Sequence, residues 1–296
     1  MKKITIATLF ALVSVAASAQ VTISGKIGQY VDRTEVGTST VNSIATEPTS
    51  NIAISAREQL GKGLTARAVV ETSISGNTIN GSGTQLGDRQ STVGLAHKLG
   101  SIDLGRNVHS QFLAITNNDA FGTLYGSVAG DVHNLRALRF SNGAFTSISV
   151  VPGVTATYDH QQAGAGADAS AYSLSAKVAG IDATVARYTQ GVEKSTVVGA
   201  NYKMGATTVF YSHSDNESAT ASETKKGDLL GVAQNFGAIT AKASYGRTNK
   251  DTTAYSLGLD YALSKRTYVG VAYRSVDVAT ANADVKQVGV GLVHRF

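Results

Sequence analysis

From Val285 to Phe296 the chain alternates. Val288, Val290, Leu292, His294 and Phe296 share one parity, and Gly289, Gly291, Val293 and Arg295 share the other. Period two is strand geometry, because successive side chains on a strand point to opposite sheet faces. This strand closes on a bare aromatic, where the last strand of a soluble domain would fray. One apolar face and one small or charged face fit a barrel wall that separates lipid from water.

Most of the chain repeats this pattern. Tyr255, Leu257, Leu259, Tyr261 and Leu263 alternate with Ser256, Gly258, Asp260 and Ala262, and Tyr172, Leu174, Ala176 and Val178 alternate with Ser173, Ser175 and Lys177. Sixteen segments read as strands: 21–31, 50–60, 63–75, 89–99, 101–109, 133–142, 153–161, 170–179, 181–190, 195–204, 206–213, 227–236, 238–248, 252–263, 266–276 and 284–296. Every second connection is a tight turn, such as Leu60-Gly61-Lys62-Gly63, Ala179-Gly180 or Phe236-Gly237. The connections between them, 32–49, 76–88, 110–132 and 214–226, are longer and polar. Alternating short and long connections place all turns of one kind at one end of an up-and-down sheet. Closure removes the exposed edges of so long a sheet, and in a bilayer it is obligatory. Two strands lack clean parity: Arg106 falls in phase with Ile102 and Leu104, and Arg187 with Ile181, Ala183 and Val185. Bulges, strand ends above the apolar band, or wall facing another subunit would each account for them. A periplasmic propeller or large sandwich is the soluble rival, and tyrosines near strand ends argue against it.

Met1-Lys2-Lys3, the apolar run from Ile4 to Ala17 and the Ala17-Ser18-Ala19 triplet read as a secretory signal peptide over residues 1–19, leaving 20–296 as one barrel domain. Without Lys2 and Lys3 the 26 basic residues fall to 24 against 21 acids, a net charge of +3. That mild surplus, with no basic run carrying interleaved aromatics, gives no case for nucleic acid. The chain has no cysteine, so it uses neither disulfides nor thiolate-bound zinc. The six histidines are scattered without metal spacing, and no cofactor is implied. His213-Ser214-Asp215 looks like a compressed triad, but neighbouring residues on a strand point to opposite faces. No nucleophile with a positioned base is found, which speaks against an enzyme.

Over its mature length the sequence resembles the general-diffusion porins of Gram-negative bacteria. Val21-Thr-Ile-Ser-Gly25 is similar to that family's opening strand, and Ala56-Arg-Glu-Gln-Leu-Gly-Lys-Gly-Leu64 to its second hairpin turn. Asp88-Arg89-Gln90 with Val93-Gly94-Leu95 and Leu104-Gly105-Arg106-Asn107 match a further strand pair, and Val290 to Phe296 the closing segment. The resemblance implies an all-β, 16-stranded antiparallel transmembrane barrel in the outer membrane. It implies a homotrimer, and a third external loop folded into the lumen as a constriction. The 110–132 connection occupies that slot, and its Asn118-Asp-Ala-Phe-Gly122 resembles the family's acidic element, with Asp119 as the acid and Ala120 in the usual acidic place. Arg89 falls on a basic position of the opposite wall, whereas Asn51 and Ser55 replace two others. Arg67 and Lys26, inward by parity, are the substitutes, with Arg139 and Glu71 also lining the pore. Phe296 corresponds to the terminal aromatic read by the barrel-assembly machinery.

The expected activity is passive diffusion of small hydrophilic solutes and ions, with lipid around the wall. By parity the inward charges are Lys26, Arg67, Arg139, Lys177, Lys203, Lys242, Arg274 and Arg295 against Glu71 and Asp260, and Arg89 and Asp119 add one to each side. This surplus predicts a modest anion preference, with most of these charges merely keeping the lumen wet. The rival functions are a substrate-selective channel on the same barrel and a non-conducting surface adhesin.

Overall fold

The computed structural model describes residues 19–75, 78–79, 85–135, 138–221, 223–279 and 283–296. Residues 1–18 of the signal segment lie outside these. Sixteen antiparallel staves form one closed sheet. In chain order they are β1 (Gln20–Val36), β2 (Ser39–Thr46 continuing as Asn51–Gly61), β3 (Leu64–Ser75), β4 (Gln90–His97), β5 (Gly100–Val108), β6 (Arg139–Val151), β7 (Val154–Gln161) and β8 (Ala169–Val178). Then follow β9 (Ile181–Gln190), β10 (Glu193–Met204), β11 (Thr207–Glu217), β12 (Lys226–Phe236), β13 (Ile239–Thr248), β14 (Thr253–Ala262), β15 (Thr267–Asp277) and β16 (Val285–Arg295). The ring closes where β1 pairs with β16, from Lys26↔Arg295 to Val36↔Val285. Beyond the last strand residue, Gly25 and Phe296 exchange both backbone hydrogen bonds at 3.0 Å, so the final residue is part of the seam.

The alternation sorts side chains as the sequence predicts. Val290, Leu292, Leu257, Leu259, Leu174 and Val185 are exposed on the outer face. Their neighbours Gly289, Gly291, Val293, Ser256 and Ala186 are buried on the other. An exposed apolar face this extensive is a lipid-facing wall. Aromatic rings bound it at both ends. Tyr202, Phe236 and Tyr261 lie by the short turns, and Tyr158, Tyr172, Tyr245 and Tyr255 toward the long connections. The six residue steps from Tyr255 to Tyr261 span about 20 Å along a strand, close to the height of a membrane barrel's apolar band.

Two strand limits differ from the sequence reading. Residues 32–49, expected as a loop, are mostly an extension of the β1–β2 hairpin around Gly37, with Gln29↔Thr46 through Val36↔Ser39 in register. Above the apolar band both faces meet water, so hydrophobic alternation disappears while the strand continues. The stave then breaks at Glu47–Ser50, where Pro48 has no N–H for the ladder. The expected strand 133–142 is shifted along the chain and runs from Arg139 to Val151, because His133 belongs to the docked connection, where it is bonded to Ser212 and Ser214. The phase conflict at Arg106 is a β-bulge, with β5 and β6 changing register between Gly105 and Asn107. No such shift occurs at Arg187, which pairs regularly with Tyr172 and Thr196 near the long-connection end of the outer face.

Candidate functional site: the lumen wall and the 109–138 connection

The connection after β5 carries helix α1 (Ser110–Asn117) and the single turn α2 (Ala129–Val132). Its start is fixed by His109, whose ring lies 4.7 Å from that of Phe140 and 5.4 Å from that of Tyr188, and whose Nδ1 accepts from the Phe112 N–H at 3.3 Å. Asp159 accepts from the Ser110 N–H at 2.7 Å, placing a carboxylate at the helix N-terminus. Gln111 donates to Ser195 at 2.9 Å. Helix α1 packs on β7 to β10, and α2 on β12 to β14.

The strand residues that it meets all have the parity opposite to the lipid-facing side chains. The barrel's apolar core is therefore a seam between this connection and the inner wall. Ile115, Val128, Ala129 and Val132 are buried with Ala186, Val197, Leu229, Ala254 and Val276. Farther along, Phe121 and Tyr125 are buried with Tyr30, Ala272 and Val293. The approach requires missing side chains. A Cβ at Gly231 would come within 2.9 Å of the Ala120 Cβ, and one at Gly258 within 2.7 Å of the Phe121 ring. Gly199 leaves the same room for Asn118, Gly227 for the Val132 carbonyl and Gly289 for the Tyr125 hydroxyl.

Polar anchors complete the seating. His133 is fully buried with one ring nitrogen 2.8 Å from Ser214 Oγ and the other 2.9 Å from Ser212 Oγ. Burial pushes its pKa down to about 3, so the ring is neutral and donates through one nitrogen while accepting through the other. Ser214 thus serves the inner face while His213 pairs outward with Asp228 at 3.0 Å, which takes the apparent triad apart. Asp131 pairs with Arg274 at 3.4 Å, and Lys225 donates to the Asp131 carbonyl at 2.8 Å.

Asp119, expected as a lumen acid, turns back into the connection. It is buried and accepts from the N–H groups of Phe121 and Thr123 at 3.1 and 2.8 Å and from Ser127 Oγ at 2.6 Å. Burial also raises its pKa. Its role here is to hold the 119–127 turn.

The remaining candidates lie on the wall of β1 to β6 and are mostly ion-paired. Arg89 binds Glu71, which also accepts from Asn51 Nδ2 at 2.8 Å. Arg139 donates to the Arg89 carbonyl at 2.7 Å, so Arg89 and Arg139 are brought together. Arg67 pairs with Asp103 rather than with Arg89. Lys26 pairs with the buried Glu47 at 2.9 Å. The sequence reading missed Asp103, because the bulge obscured its parity, and Glu47, because it was placed in a loop. Tyr125 and Asp32 were missed as well. The phenol donates to the carboxylate, which also accepts from Gln287 at 2.8 Å. Among the described residues there is no His/Cys/Asp/Glu group arranged to hold a metal ion.

The family model for Gram-negative porins matches residues 6–281. The chain belongs to the Gram-negative porins. No curated protein matches the sequence. Solved porins share the fold at low identity. An anion-selective porin from Comamonas acidovorans superimposes with a TM-score of 0.81 at 19% identity, over 94% of this porin and 100% of that chain. A loop-deletion mutant of OmpT, an outer membrane protein of Vibrio cholerae, gives 0.73 at 12% identity over 94% and 99%. Salmonella typhi OmpF, in complex with daunomycin, gives 0.72 at 18% over 93% and 97%.

Proposed function

We propose that this porin is a water-filled outer-membrane channel through which small hydrophilic solutes and ions diffuse passively, with a modest preference for anions. The 109–138 connection sets its narrowest opening against the wall that carries Arg67, Arg89, Arg139, Lys26 and Glu71. The functional unit is a homotrimer, exported by the 1–19 signal peptide and inserted by the assembly machinery with Phe296 as its signal.

The observation that carries the anion preference is the charge balance of the inner wall. The pairs Lys26–Glu47, Arg67–Asp103, Arg89–Glu71, Lys177–Asp182 and Lys242–Asp260 cancel locally. Arg57, Lys203 and Arg295, inward by register, have no ion pair among the described residues. Against them stand the inward Asp32 and Asp159, which among those residues accept only from neutral donors, so the surplus is positive but small. Uncompensated charge in a narrow, poorly screened lumen biases ion choice. The structural neighbour from Comamonas acidovorans is itself described as anion-selective.

Planar-bilayer recording of the purified protein tests this reading. The expected result is ohmic conductance that does not saturate with solute, and a reversal potential in a KCl gradient displaced toward chloride. Saturation or block by one solute class would replace it with a substrate-selective channel. An absence of conductance would favour a surface adhesin.

A further inference from the structure

Charge on the inner wall is cancelled unevenly. Beneath the tip of the 109–138 connection, at the short-turn end, lies a cavity of about 240 Å³ roofed by Leu124. Lys242, Asp260, Lys265, Arg266, Tyr268 and Arg295 line it. Asp260 is taken by Lys242 at 2.6 Å. The Arg295 guanidinium lies 5.8 Å from the Tyr268 ring centre, a cation–π contact that holds it without neutralising it. Lys265 and Arg266 occupy the turn between β14 and β15, where the Arg266 carbonyl accepts from the Arg295 N–H at 2.8 Å. None of Lys265, Arg266 and Arg295 has an acidic partner among the described residues.

Three cations therefore border one open cavity whose one carboxylate among the described lining residues, Asp260, is already committed. Arginine offers a planar fork of donors that matches two oxygens of an oxyanion, and lysine a point charge beside it. The volume corresponds to several water molecules at about 30 Å³ each, enough for a small, partly hydrated anion. We infer that this cavity is a binding station for small multivalent oxyanions at the short-turn mouth of the pore. This inference rests on the channel reading only in that ions must reach the cavity. It goes further by placing an anion-holding site at the mouth rather than at the constriction. A monovalent anion passes it, whereas a multivalent one dwells and impedes the current.

Sodium phosphate is the probe, added at constant KCl of about 0.1 M, where screening extends over about 10 Å. Phosphate on the short-turn side should reduce the single-channel current at several-fold lower concentration than on the opposite side. The double variant Lys265→Gln/Arg266→Gln changes two side chains of a turn and leaves the Arg266 carbonyl free to accept from Arg295. It should weaken the block by about tenfold, as expected for lost charge-assisted hydrogen bonds. Arg187→Gln, which removes a charge from the outer face, should be blocked like wild type. Equal block from both sides, or a double variant blocked like wild type, would overturn the station. The KCl reversal potential is read separately. Sided block without anion preference sinks the preference and leaves the station, and preference without sided block does the reverse.

Discussion

Tyr30 on β1 and Tyr125 in the 109–138 connection stack with ring centres 3.9 Å apart and planes 11° from parallel. The Tyr125 hydroxyl donates to Asp32, one strand position pair beyond Tyr30, so the tip is held by a ring and a carboxylate together. Burial raises the phenol's pKa and keeps it a donor. Tyr125→Ala removes both contacts from a buried site, a loss of about 3 kcal/mol by analogy with aromatic truncations in cores. The expected outcome is a loosened tip, seen as increased open-channel noise in single-channel traces. Tyr125→Phe keeps the stack and should be noisier than wild type by a smaller margin.

Removing Asn117 to Gly122 takes away the segment seated over Gly199, Gly231 and Gly258, together with the Asp119 turn. Single-channel conductance should rise in this deletant. A correctly assembled deletant with wild-type conductance would mean that the connection does not set the narrowest opening.

The wall was legible in the sequence because the bilayer imposes one rule on every strand: apolar outward, polar or small inward. Leu257, Leu259, Val290 and Leu292 obey it, and so do Gly258, Gly289 and Gly291. The inner glycines carried a second message that parity alone does not decode. Gly199, Gly227, Gly231, Gly258 and Gly289 mark where the 109–138 connection lies, and their shared inward phase was the available signal. Ion pairing was illegible for a different reason. Arg67 meets Asp103 across β3, β4 and β5, with Gly94 between them in register, and no local spacing encodes a partner two strands away. Asp119 stood one place before the acidic slot of the resembling element, which Ala120 fills, and only the fold shows its carboxylate turned inward on its own turn.

Acid should loosen the connection through His133. Its partners are Ser212 and Ser214, with Lys225, His213 and Asp228 as the nearby charges. The docked ring's pKa is about 3 against an ordinary 6.5, so between those values the undocked state binds the extra proton. The docking free energy is therefore full above about pH 6.5 and is lost as pH falls through that window, on the order of 2 kcal/mol by about pH 4.5. Asp119 and Asp131, whose pKa values are raised by burial, act in the opposite sense and favour docking at acid pH. Comparing wild type with His133→Gln isolates the histidine: wild-type traces should become noisier on acidification, and the variant should lose most of that dependence.

Phe296 exchanges two backbone hydrogen bonds with Gly25 and lays its ring over that glycine on the outer face. Deleting it frees the β1 side of the closing seam as well as removing the terminal aromatic. Folded barrel should accumulate less, measured as the heat-modifiable fraction on detergent gels. Wild-type amounts of folded protein in the membrane would show that neither the seam contact nor the aromatic is required for assembly.

Arg89 and Glu71 separate two explanations of ion selectivity. If the arginine acted alone at the constriction, any neutral substitution there would abolish the preference. The pair carries no net charge, however, and a side chain at each end of a short ion pair is felt as a dipole at distances beyond the pair itself. Arg89→Glu changes the local charge by two and leaves two carboxylates together, so reversal potentials in a KCl gradient should move toward cations. The double variant Arg89→Gln/Glu71→Gln removes both charges and should stay close to wild type, within the scatter expected of loop repositioning through the lost Arg89 contacts to Glu71 and Pro48. Arg57→Gln, which removes an inward cation with no ion pair among the described residues, should shift the potential more than that double variant does. A double variant that becomes cation-selective, with Arg57→Gln unaltered, would return the selecting charge to Arg89 and leave the barrel assignment untouched.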